Sequence, residues 1–384
     1  MVVGPLAKRR QRQEAFQNSK LNFKSLKSYL FSQELRVRVL SPVVEANNVR
    51  VSYYTMRGKI RAVDGVDLTL EKGETLGLAG ESGCGKSTFA WSLLGMVPPP
   101  GKIEGGSIII DGTDITKLKE AEIRKKIRWK KVSMIFQGAM NSLNPVMTAG
   151  KQIEEVLLYH GSFNKTEARR RVYELLESVG LDRAVADRYP HELSGGQKQR
   201  IVIAMALALE PDVVIADEPT TALDVVVQAQ ILNLLKRLQR EKNLSYIFIT
   251  HDLAVISEVS DRVAIMYGGK IVEVGRSEDI FYKPLHPYTY LLIKAVPKLR
   301  GEKEKLIYIP GRPPDLSKPI RGCRFAPRCP VAMNKCFVEE PPLEDKGNGR
   351  RSACWLEKAP EGIEQLLDKI AERANNNIGT QIAD

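Results

Sequence analysis

The sequence predicts an α/β fold built on a parallel sheet whose carboxyl edge carries the functional residues. Three observations lead to this prediction. The buried-strand pattern Thr75–Ala79 turns through a glycine-rich stretch into a helical pattern. Two further apolar runs, residues 132–137 and 213–218, end in polar side chains, and another ends just before His251. Ligands of open α/β sheets bind at the carboxyl ends of the strands, so these residues are expected around one site.

The glycine-rich stretch, residues 80–88, fits the pattern G-x-x-x-x-G-K-[ST]. A strand that turns on glycines into a helix points successive N–H groups at one spot, where they add to the positive end of the helix dipole. Lys86 can reach the β- and γ-phosphates, and the Ser87 hydroxyl can ligate Mg²⁺. A glycine turn that binds nothing is the alternative, and the strand–turn–helix context argues against it. We therefore predict that a nucleoside triphosphate binds to Gly80, Ser82, Gly83, Cys84, Gly85, Lys86, Ser87 and Thr88.

Composition is compatible with a nucleotide-binding protein. A chain of 384 residues exceeds one usual hydrophobic core, so more than one domain is expected. The formal charge of +12 suggests an acidic partner: nucleic acid, anionic lipid or nucleotide. No apolar run approaches the ~18 residues of a membrane span, and the N-terminal segment has no apolar signal core. The chain is therefore predicted to be cytoplasmic and not to cross a bilayer itself.

The region before the phosphate loop changes in character along its length. Residues 1–43 are predicted to form a basic leader, either solvated and disordered or a surface helix that touches anionic lipid. Strand patterns follow at residues 49–54 and 62–70. Tyr53, with Tyr54 as second choice, could stack on a purine base. A tyrosine in a strand is more often only packed, so both interpretations stay open.

Strand and helix patterns alternate after the phosphate loop. Residues 105–112 are predicted to form a strand that ends in a tight turn, and residues 117–131 a basic helix. Residues from about 138 to 210 are helical in pattern, with helices predicted at 149–160, 165–179 and 201–209. Before the last of these, a serine and two glycines lead into a helix, which is a second helix start suited to phosphate. A simple capped helix start is the alternative for these residues, Ser194, Gly195, Gly196 and Gln197.

Polar residues at the strand ends are the candidates for chemistry on the nucleotide. Asp217 and Glu218 are adjacent carboxylates, whose burial is costly unless a cation or a proton compensates. Asp217 is the expected Mg²⁺ ligand, and Glu218 is the candidate to polarise water for attack on the γ-phosphate. Gln137 is placed to touch Mg²⁺ or the attacking water. His251 is the candidate γ-phosphate sensor, although a lone histidine is more often structural.

The ordered motifs resemble the nucleotide-binding subunit of an ABC transporter over about residues 44–275. The motifs are the phosphate loop, Gln137, Leu193 to Gln197 (LSGGQ), Asp217 with Glu218, residues 222–224 and His251. The resemblance implies an α/β P-loop NTPase (ABC ATPase) core with an antiparallel β subdomain, a helical subdomain at about 138–210 and cofactors ATP and Mg²⁺. It also implies a head-to-tail dimer that holds each ATP between one subunit's phosphate loop and the other's LSGGQ. Asp224 would lie on the dimer seam, and Gln137 with the helical segment after it would face the transmembrane subunits.

Residues beyond about 275 narrow the resemblance. Residues 281–289, 310–314 and 322–330 are similar to the C-terminal extension of oligopeptide/dipeptide importer ATPases, as are residues 134–137 and 141–145. The sequence departs from that branch at residues 138–139 and at Gln197 with Lys198, which makes the fit to any one substrate branch looser. The implied domains are a leader (1–43), an ABC nucleotide-binding domain (44–280) and a small irregular C-terminal extension (281–384).

This resemblance implies an ATP-hydrolysing subunit that powers import of di- or oligopeptides, with nickel and oligosaccharides as other cargo known in the wider subfamily. The implied location is the cytoplasmic face of the membrane. The implied partners are a second ABC ATPase subunit (a copy or a paralogue), two transmembrane permease subunits and, indirectly, an extracytoplasmic solute-binding protein. No nucleic acid partner is expected.

Four cysteines lie in the Pro-rich C-terminal region: Cys323, Cys329, Cys336 and Cys354. In a cytoplasmic chain, clustered thiols argue against disulfides and for a soft metal centre. Their spacing is that of neither zinc ribbons nor bacterial ferredoxins. Because importer ATPases that share the four cysteines can carry a [4Fe–4S] cluster, the resemblance favours that cluster, with Zn²⁺ or free buried thiols as alternatives. Residues 361–374 are predicted to form a short amphipathic helix before the chain frays.

Two other classes of function are compatible with nucleotide binding. A soluble ABC ATPase that acts on DNA or ribosomes would account for the basic charge, but such proteins usually carry two cassettes or a long coiled-coil insertion. Here there is one cassette, and no heptads are sustained between Gln137 and Leu193. A regulatory nucleotide-binding module without turnover is disfavoured because Glu218 and His251 are both present.

Overall fold

The computed structural model describes residues 42–56, 58–138, 142–295, 308–360 and 363–366. Almost all of the predicted leader (1–43) and the end of the chain (375–384) lie outside these residues. Of the helix predicted at 361–374, only Ile363–Leu366 is described, and it forms one 3₁₀ turn.

The strands in chain order are β1 (Pro42–Thr55), β2 (Gly58–Glu71), β3 (Thr75–Ala79), β4 (Gly101–Ile110), β5 (Thr113–Asp114), β6 (Val132–Ile135), β7 (Val213–Asp217), β8 (Ser245–Ile249), β9 (Arg262–Tyr267), β10 (Lys270–Arg276), β11 (Glu344–Asp345) and β12 (Arg351–Ser352). The helices are α1 (Lys86–Leu93), α2 (Glu120–Lys126), α3 (Ala149–His160), α4 (Lys165–Ser178), α5 (Gly195–Ala206), α6 (Val225–Lys242), α7 (Leu253–Val259), α8 (Ser277–Tyr282), α9 (Pro287–Lys294) and α10 (Asn334–Val338).

The larger sheet confirms the predicted parallel core. Its strand order is β11-β12-β10-β9-β3-β8-β7-β6, and its five consecutive strands β9, β3, β8, β7 and β6 run parallel. Both faces are covered, because alternate residues of β7 enter different cores: Val213 and Ile215 join one, Val214 and Ala216 the other. The carboxyl ends of β3, β6, β7 and β8 therefore meet at one edge of the sheet.

The smaller sheet and the helices complete the predicted α/β architecture. The antiparallel sheet has the order β2-β1-β4-β5, and its apolar face packs with α1 in one of the two cores. Helices α3, α4 and α5 pack on one another in the other core, as expected of a helical subdomain. In the part of the chain that the structure describes, no helix has both the length and the apolar character needed to span a membrane.

Two predicted helices differ from the structure. The basic helix predicted at 117–131 is wrong in extent, because α2 covers only Glu120–Lys126. Trp129 has a φ of +68°, and the Arg128 side chain turns to donate to the carbonyls of Leu94 (2.9 Å) and Gly95 (2.8 Å). The helix predicted at 201–209 begins earlier, at Gly195.

The C-terminal residues extend the larger sheet. Strand β12 pairs antiparallel with β10 at Glu273 and Val274, and β11 pairs with β12. The amide of Ala353 adds a hydrogen bond of 2.8 Å to the Val272 carbonyl. This region is thus joined by backbone hydrogen bonds to the sheet that carries the phosphate loop.

Candidate nucleotide site

The loop between β3 and α1 depends on glycines at two close approaches of the backbone. Gly80 and Gly85 have φ values of +150° and +110°. A Cβ atom on Gly80 would lie 2.1 Å from the Met266 carbonyl oxygen, and one on Gly85 would lie 2.2 Å from that of Ala62. A side chain at either position would therefore force the loop away from its neighbouring strands.

The N-terminus of α1 is suited to an anion. Its N-cap is Gly85, which offers no side-chain cap, so the first N–H groups of the helix are left for another acceptor. The buried Lys86 ammonium donates to the carbonyls of Gly80 (2.8 Å) and Glu81 (2.9 Å) and lies 3.6 Å from the sulfur of Cys84. Burial raises the pKa of Cys84, which keeps this thiol neutral.

A cavity of about 450 Å³ lies in front of this loop and gathers most of the predicted site residues. Its predicted lining residues are Ser82, Gly83, Gly85, Lys86, Ser87, Thr88, Gln137, Asp217, Glu218 and His251. Ala62, Trp91 and Ile249 also line it and were not predicted from the sequence. Residues from the ends of β6, β7 and β8 thus face the phosphate loop across one cavity, as the strand pattern indicated.

Asp217 has the properties of a cation ligand. It is 3% exposed at the end of β7. Burial raises the pKa of its carboxyl group, the Ser87 hydroxyl opposes this by a hydrogen bond, and the neighbouring Glu218 charge raises it further. A carboxylate in such a place is stabilised by a cation, so Asp217 and Ser87 fit a magnesium ion.

Glu218 is held by three side chains. Its carboxylate accepts hydrogen bonds from Gln137 Nε2 (2.7 Å), Thr221 Oγ1 (2.9 Å) and His251 Nδ1 (2.9 Å). Burial acts to raise the pKa of Glu218, but the hydrogen bonds of His251 and Thr221, together with the charges of His251 and Lys86, outweigh burial and hold the pKa below its ordinary value. The side chain is therefore an oriented carboxylate, able to accept a hydrogen bond from water.

Several predicted nucleotide contacts do not line this cavity: Gly80 and Cys84 of the loop, Tyr53, and Ser194 to Gln197. The Tyr53 hydroxyl lies 3.3 Å from the Thr88 hydroxyl, and Tyr53 is not among the residues that line the cavity. Ser194 caps α5: its hydroxyl accepts from the Gln197 amide (3.3 Å), and the Gln197 side chain accepts from the Ser194 amide (3.0 Å). Neither these residues nor Gly195 and Gly196 line the cavity of their own chain.

Some unpredicted site residues had a signal in the sequence. Thr221 is three residues after Glu218, within reach of a turn, and its hydroxyl is the kind of group that orients a carboxylate. Trp91 is four residues after Ser87 in a predicted helix, a spacing that places both on one face. Ala62 had no such signal, because it enters the site through its backbone from a distant strand.

The prediction of an iron–sulfur or zinc site is not supported. Among the described residues, no group of three or more Cys, His, Asp or Glu is arranged to hold a metal ion. Burial raises the pKa of Cys323 to about 11 and that of Cys329 to about 12, and it also raises the pKa of Cys354. Neutral thiols are thereby favoured over the thiolates that bind metals. The fourth cysteine, Cys336, accepts a hydrogen bond of 2.7 Å at its carbonyl from the Cys323 amide.

Comparison with known proteins agrees with the geometry. Residues 63–221 match the family model described as ABC transporter, and residues 272–336 match the model of the oligopeptide/dipeptide transporter C-terminal region. The chain is 49% identical over 329 residues to the oligopeptide transport ATP-binding protein AppD of Bacillus subtilis, covering 85% of this chain and 100% of that protein. The chain belongs to the oligopeptide/dipeptide branch of the ABC transporter ATP-binding subunits.

A second relative and a solved structure agree with this family assignment. The oligopeptide transport ATP-binding protein OppD of Escherichia coli is 46% identical, covering 85% of this chain and 95% of that protein. Among solved structures, the dimeric ATP-binding cassette MJ0796, in a post-hydrolysis state bound to ADP and Pi, is 33% identical with a TM-score of 0.54. It covers 61% of this chain and 98% of that one. The ABC subunit described here is accordingly an ATPase coupled to transport.

Proposed function

We propose that this ABC subunit hydrolyses ATP at the cytoplasmic face of the membrane to drive import of di- or oligopeptides through two separate permease subunits. One observation carries the hydrolytic part: Gln137, Asp217, Glu218 and His251 converge from separate parts of the chain on the cavity in front of Lys86. The names of the relatives, which are oligopeptide and dipeptide transport proteins, support peptides as the cargo.

The residues of the loop bind the triphosphate in this proposal. Lys86 and the amides at the start of α1 balance phosphate charge, because they place an ammonium and a helix N-terminus at one spot. Ser87, Gln137 and Asp217 would hold Mg²⁺ directly or through water. That ion supplies neutralisation of phosphate charge when bound.

Glu218 orients the attacking water in this proposal. Its low pKa keeps the carboxylate ionised, and its hydrogen bonds with Thr221 and His251 fix its direction. His251, which is 70% exposed at its side chain, is free to contact the γ-phosphate as well. Such catalysis rests on positioning and electrostatics.

The signature residues Ser194, Gly195, Gly196 and Gln197 act on ATP held by a second ABC subunit, a copy or a paralogue. Two observations support this. They do not line the cavity of their own chain, and the related MJ0796 cassette is a dimer. Asp224, which caps α6 beside the exposed Val225 and Val226, would lie on the seam. In this proposal residues 44–280 form the cassette, 138–210 its helical subdomain and 281–384 the extension.

Substituting Glu218 tests the proposed hydrolysis. We expect Glu218→Gln to bind ATP, to hydrolyse it at least about a hundredfold more slowly and to trap a dimer, because the amide cannot polarise water. Glu210→Gln is the control, since Glu210 is an exposed carboxylate paired with Arg171 and Lys242. Unchanged turnover in Glu218→Gln would remove Glu218 from this role.

Partners and cargo need a separate experiment. Purification from membranes should recover hydrophobic permease subunits, whereas recovery of nucleic acid would support a soluble ATPase instead. Uptake into vesicles that contain the complex and the extracytoplasmic binding protein should be ATP-dependent for peptides. Uptake of nickel or oligosaccharide in place of peptides would show that this subunit powers the import of a different cargo.

We also propose that the four cysteines hold a [4Fe–4S] cluster or, alternatively, Zn²⁺. Its support is the donor set, because four cysteines lie within residues 323–354 of the chain. Binding would have to release thiol protons and draw the sulfurs together. Iron, sulfide and zinc analysis of protein purified without oxygen decides among cluster, zinc and free thiols.

A further inference from the structure

Arg328, in the C-terminal extension, makes a bidentate ion pair with the phosphate loop. It is 5% exposed, and its guanidinium donates to both carboxylate oxygens of Glu81, at 2.6 and 2.9 Å. Glu81 directly follows Gly80 in the loop. A residue 247 positions further along the chain therefore holds the loop that faces the cavity.

All five N–H groups of the Arg328 guanidinium donate hydrogen bonds. Besides Glu81, it donates to the Tyr267 hydroxyl (3.1 Å) and to the carbonyls of Pro310 (2.8 Å) and Ile309 (3.2 Å). A planar group bonded in this way has one orientation. Arg328 is thus a fixed point from which the position of Glu81 is set.

Glu81 is also held through its backbone. Its amide donates to the hydroxyl of Tyr288 (2.9 Å), whose buried ring packs on Tyr267 with centroids 4.5 Å apart. Its carbonyl accepts from the Lys86 ammonium at 2.9 Å. A displacement of Glu81 therefore moves an acceptor of the lysine that faces the phosphates.

We propose that Arg328 is a positioning residue for ATP hydrolysis, acting through Glu81 on the phosphate loop and on Lys86. The inference rests on the proposed ATPase function of the cavity. It makes the C-terminal extension part of the nucleotide site. Small displacements at such a site have large effects on rate, since about 1 Å can cost about a hundredfold.

Another arginine of the extension provides the matched control. Arg350 donates to the fully buried Glu273 at 3.3 Å and to the carbonyl of Lys283. This ion pair joins the extension to β10 and makes no contact with the phosphate loop. Arg350→Gln therefore loosens the extension by the same substitution without removing the contact to Glu81.

The experiment compares Arg328→Gln, Glu81→Gln, the double variant and Arg350→Gln in the full chain. We expect kcat/KM for MgATP to fall about tenfold or more in Arg328→Gln and in Glu81→Gln, and to fall no further in the double variant because both substitutions remove the same ion pair. Arg350→Gln should stay within about twofold of wild type. Arg328→Lys should recover only part of the loss, because an ammonium cannot make the bidentate pair.

Hydrogen exchange of the peptide that spans residues 80–88, measured without nucleotide, is the second readout. Exchange should be faster in Arg328→Gln and unchanged in Arg350→Gln. Hydrogen exchange tests the role of Arg328 even if neither the wild type nor any variant hydrolyses ATP. Such a lack of hydrolysis would refute the proposed function separately. Equal effects of Arg328→Gln and Arg350→Gln on both readouts, or independent effects of Arg328→Gln and Glu81→Gln, would overturn the proposal. Should Arg328→Gln not fold, Arg328→Lys and Glu81→Gln make the same comparison.

Discussion

Replacing Gly85 by Ala tests whether the phosphate loop depends on the close approach of β2. Gly85 has a φ of +110°, and a Cβ there would lie 2.2 Å from the Ala62 carbonyl oxygen and 2.8 Å from the Met266 methyl group. Gly112, in the turn between β4 and β5, has a φ of +74°, and a Cβ there would meet nothing within 4 Å. Gly112→Ala therefore carries the backbone cost without the collision.

The two variants are expected to lose different amounts of the free energy of unfolding. A left-handed backbone costs Ala about 1–2 kcal/mol at either position. Since non-bonded heavy atoms rest at about 3.5 Å, the collision at Gly85 must be relieved by a shift of about 1 Å, and overpacking of this kind costs about 1–3 kcal/mol more. We therefore expect a loss of about 2–5 kcal/mol in Gly85→Ala and about 1–2 kcal/mol in Gly112→Ala.

Urea unfolding without nucleotide measures these losses, and ATP turnover measures the effect on the site. Turnover should fall about a hundredfold in Gly85→Ala, because the loop moves by about 1 Å, and should be unchanged in Gly112→Ala. Equal destabilisation of the two variants, or normal turnover in Gly85→Ala, would refute the reasoning from backbone contact.

Two further predictions concern the edges of the site. Thr221→Val removes a hydrogen bond to Glu218, so kcat should fall about tenfold. Because that bond helps to hold the pKa of Glu218 down, the activity of this variant should be lost at a higher pH as the solution is acidified, which a pH–rate profile measures. If Tyr53 stacks on the base, Tyr53→Ala should weaken equilibrium ATP binding about tenfold and Tyr53→Phe should not; equal affinity in both variants and wild type contradicts stacking.

Short-range patterns explain what could be predicted. The strand Thr75–Ala79 and the helix Ala149–His160 match the predicted bounds, because apolar periodicity and turn residues are local signals. The start of α5 was placed six residues late, since glycines disfavour helix while the capping pair Ser194 and Gln197 offsets that preference.

Contacts between distant parts of the chain explain what could not be predicted. Nothing near Glu81 in the sequence indicates a pairing with Arg328, and only the fold brings them together. The predicted basic helix failed for the same reason, because Arg128 bonds to the carbonyls of Leu94 and Gly95, which lie more than thirty residues earlier. The predicted residues at the strand ends could be found because a parallel sheet gathers its carboxyl ends by construction.

The pairing of β12 with β10 has a consequence for solubility. Strand β10 carries three buried apolar residues, Ile271, Val272 and Val274, and its outer edge is covered by β12 and then by the short, charged β11, Glu344–Asp345. Long apolar edges recruit strands from other molecules, whereas short charged ones do not. A chain shortened before residue 340 would uncover β10, and we expect it to aggregate instead of behaving as a minimal cassette. Strands β11 and β12 thus protect the edge of the sheet from pairing with strands of other molecules.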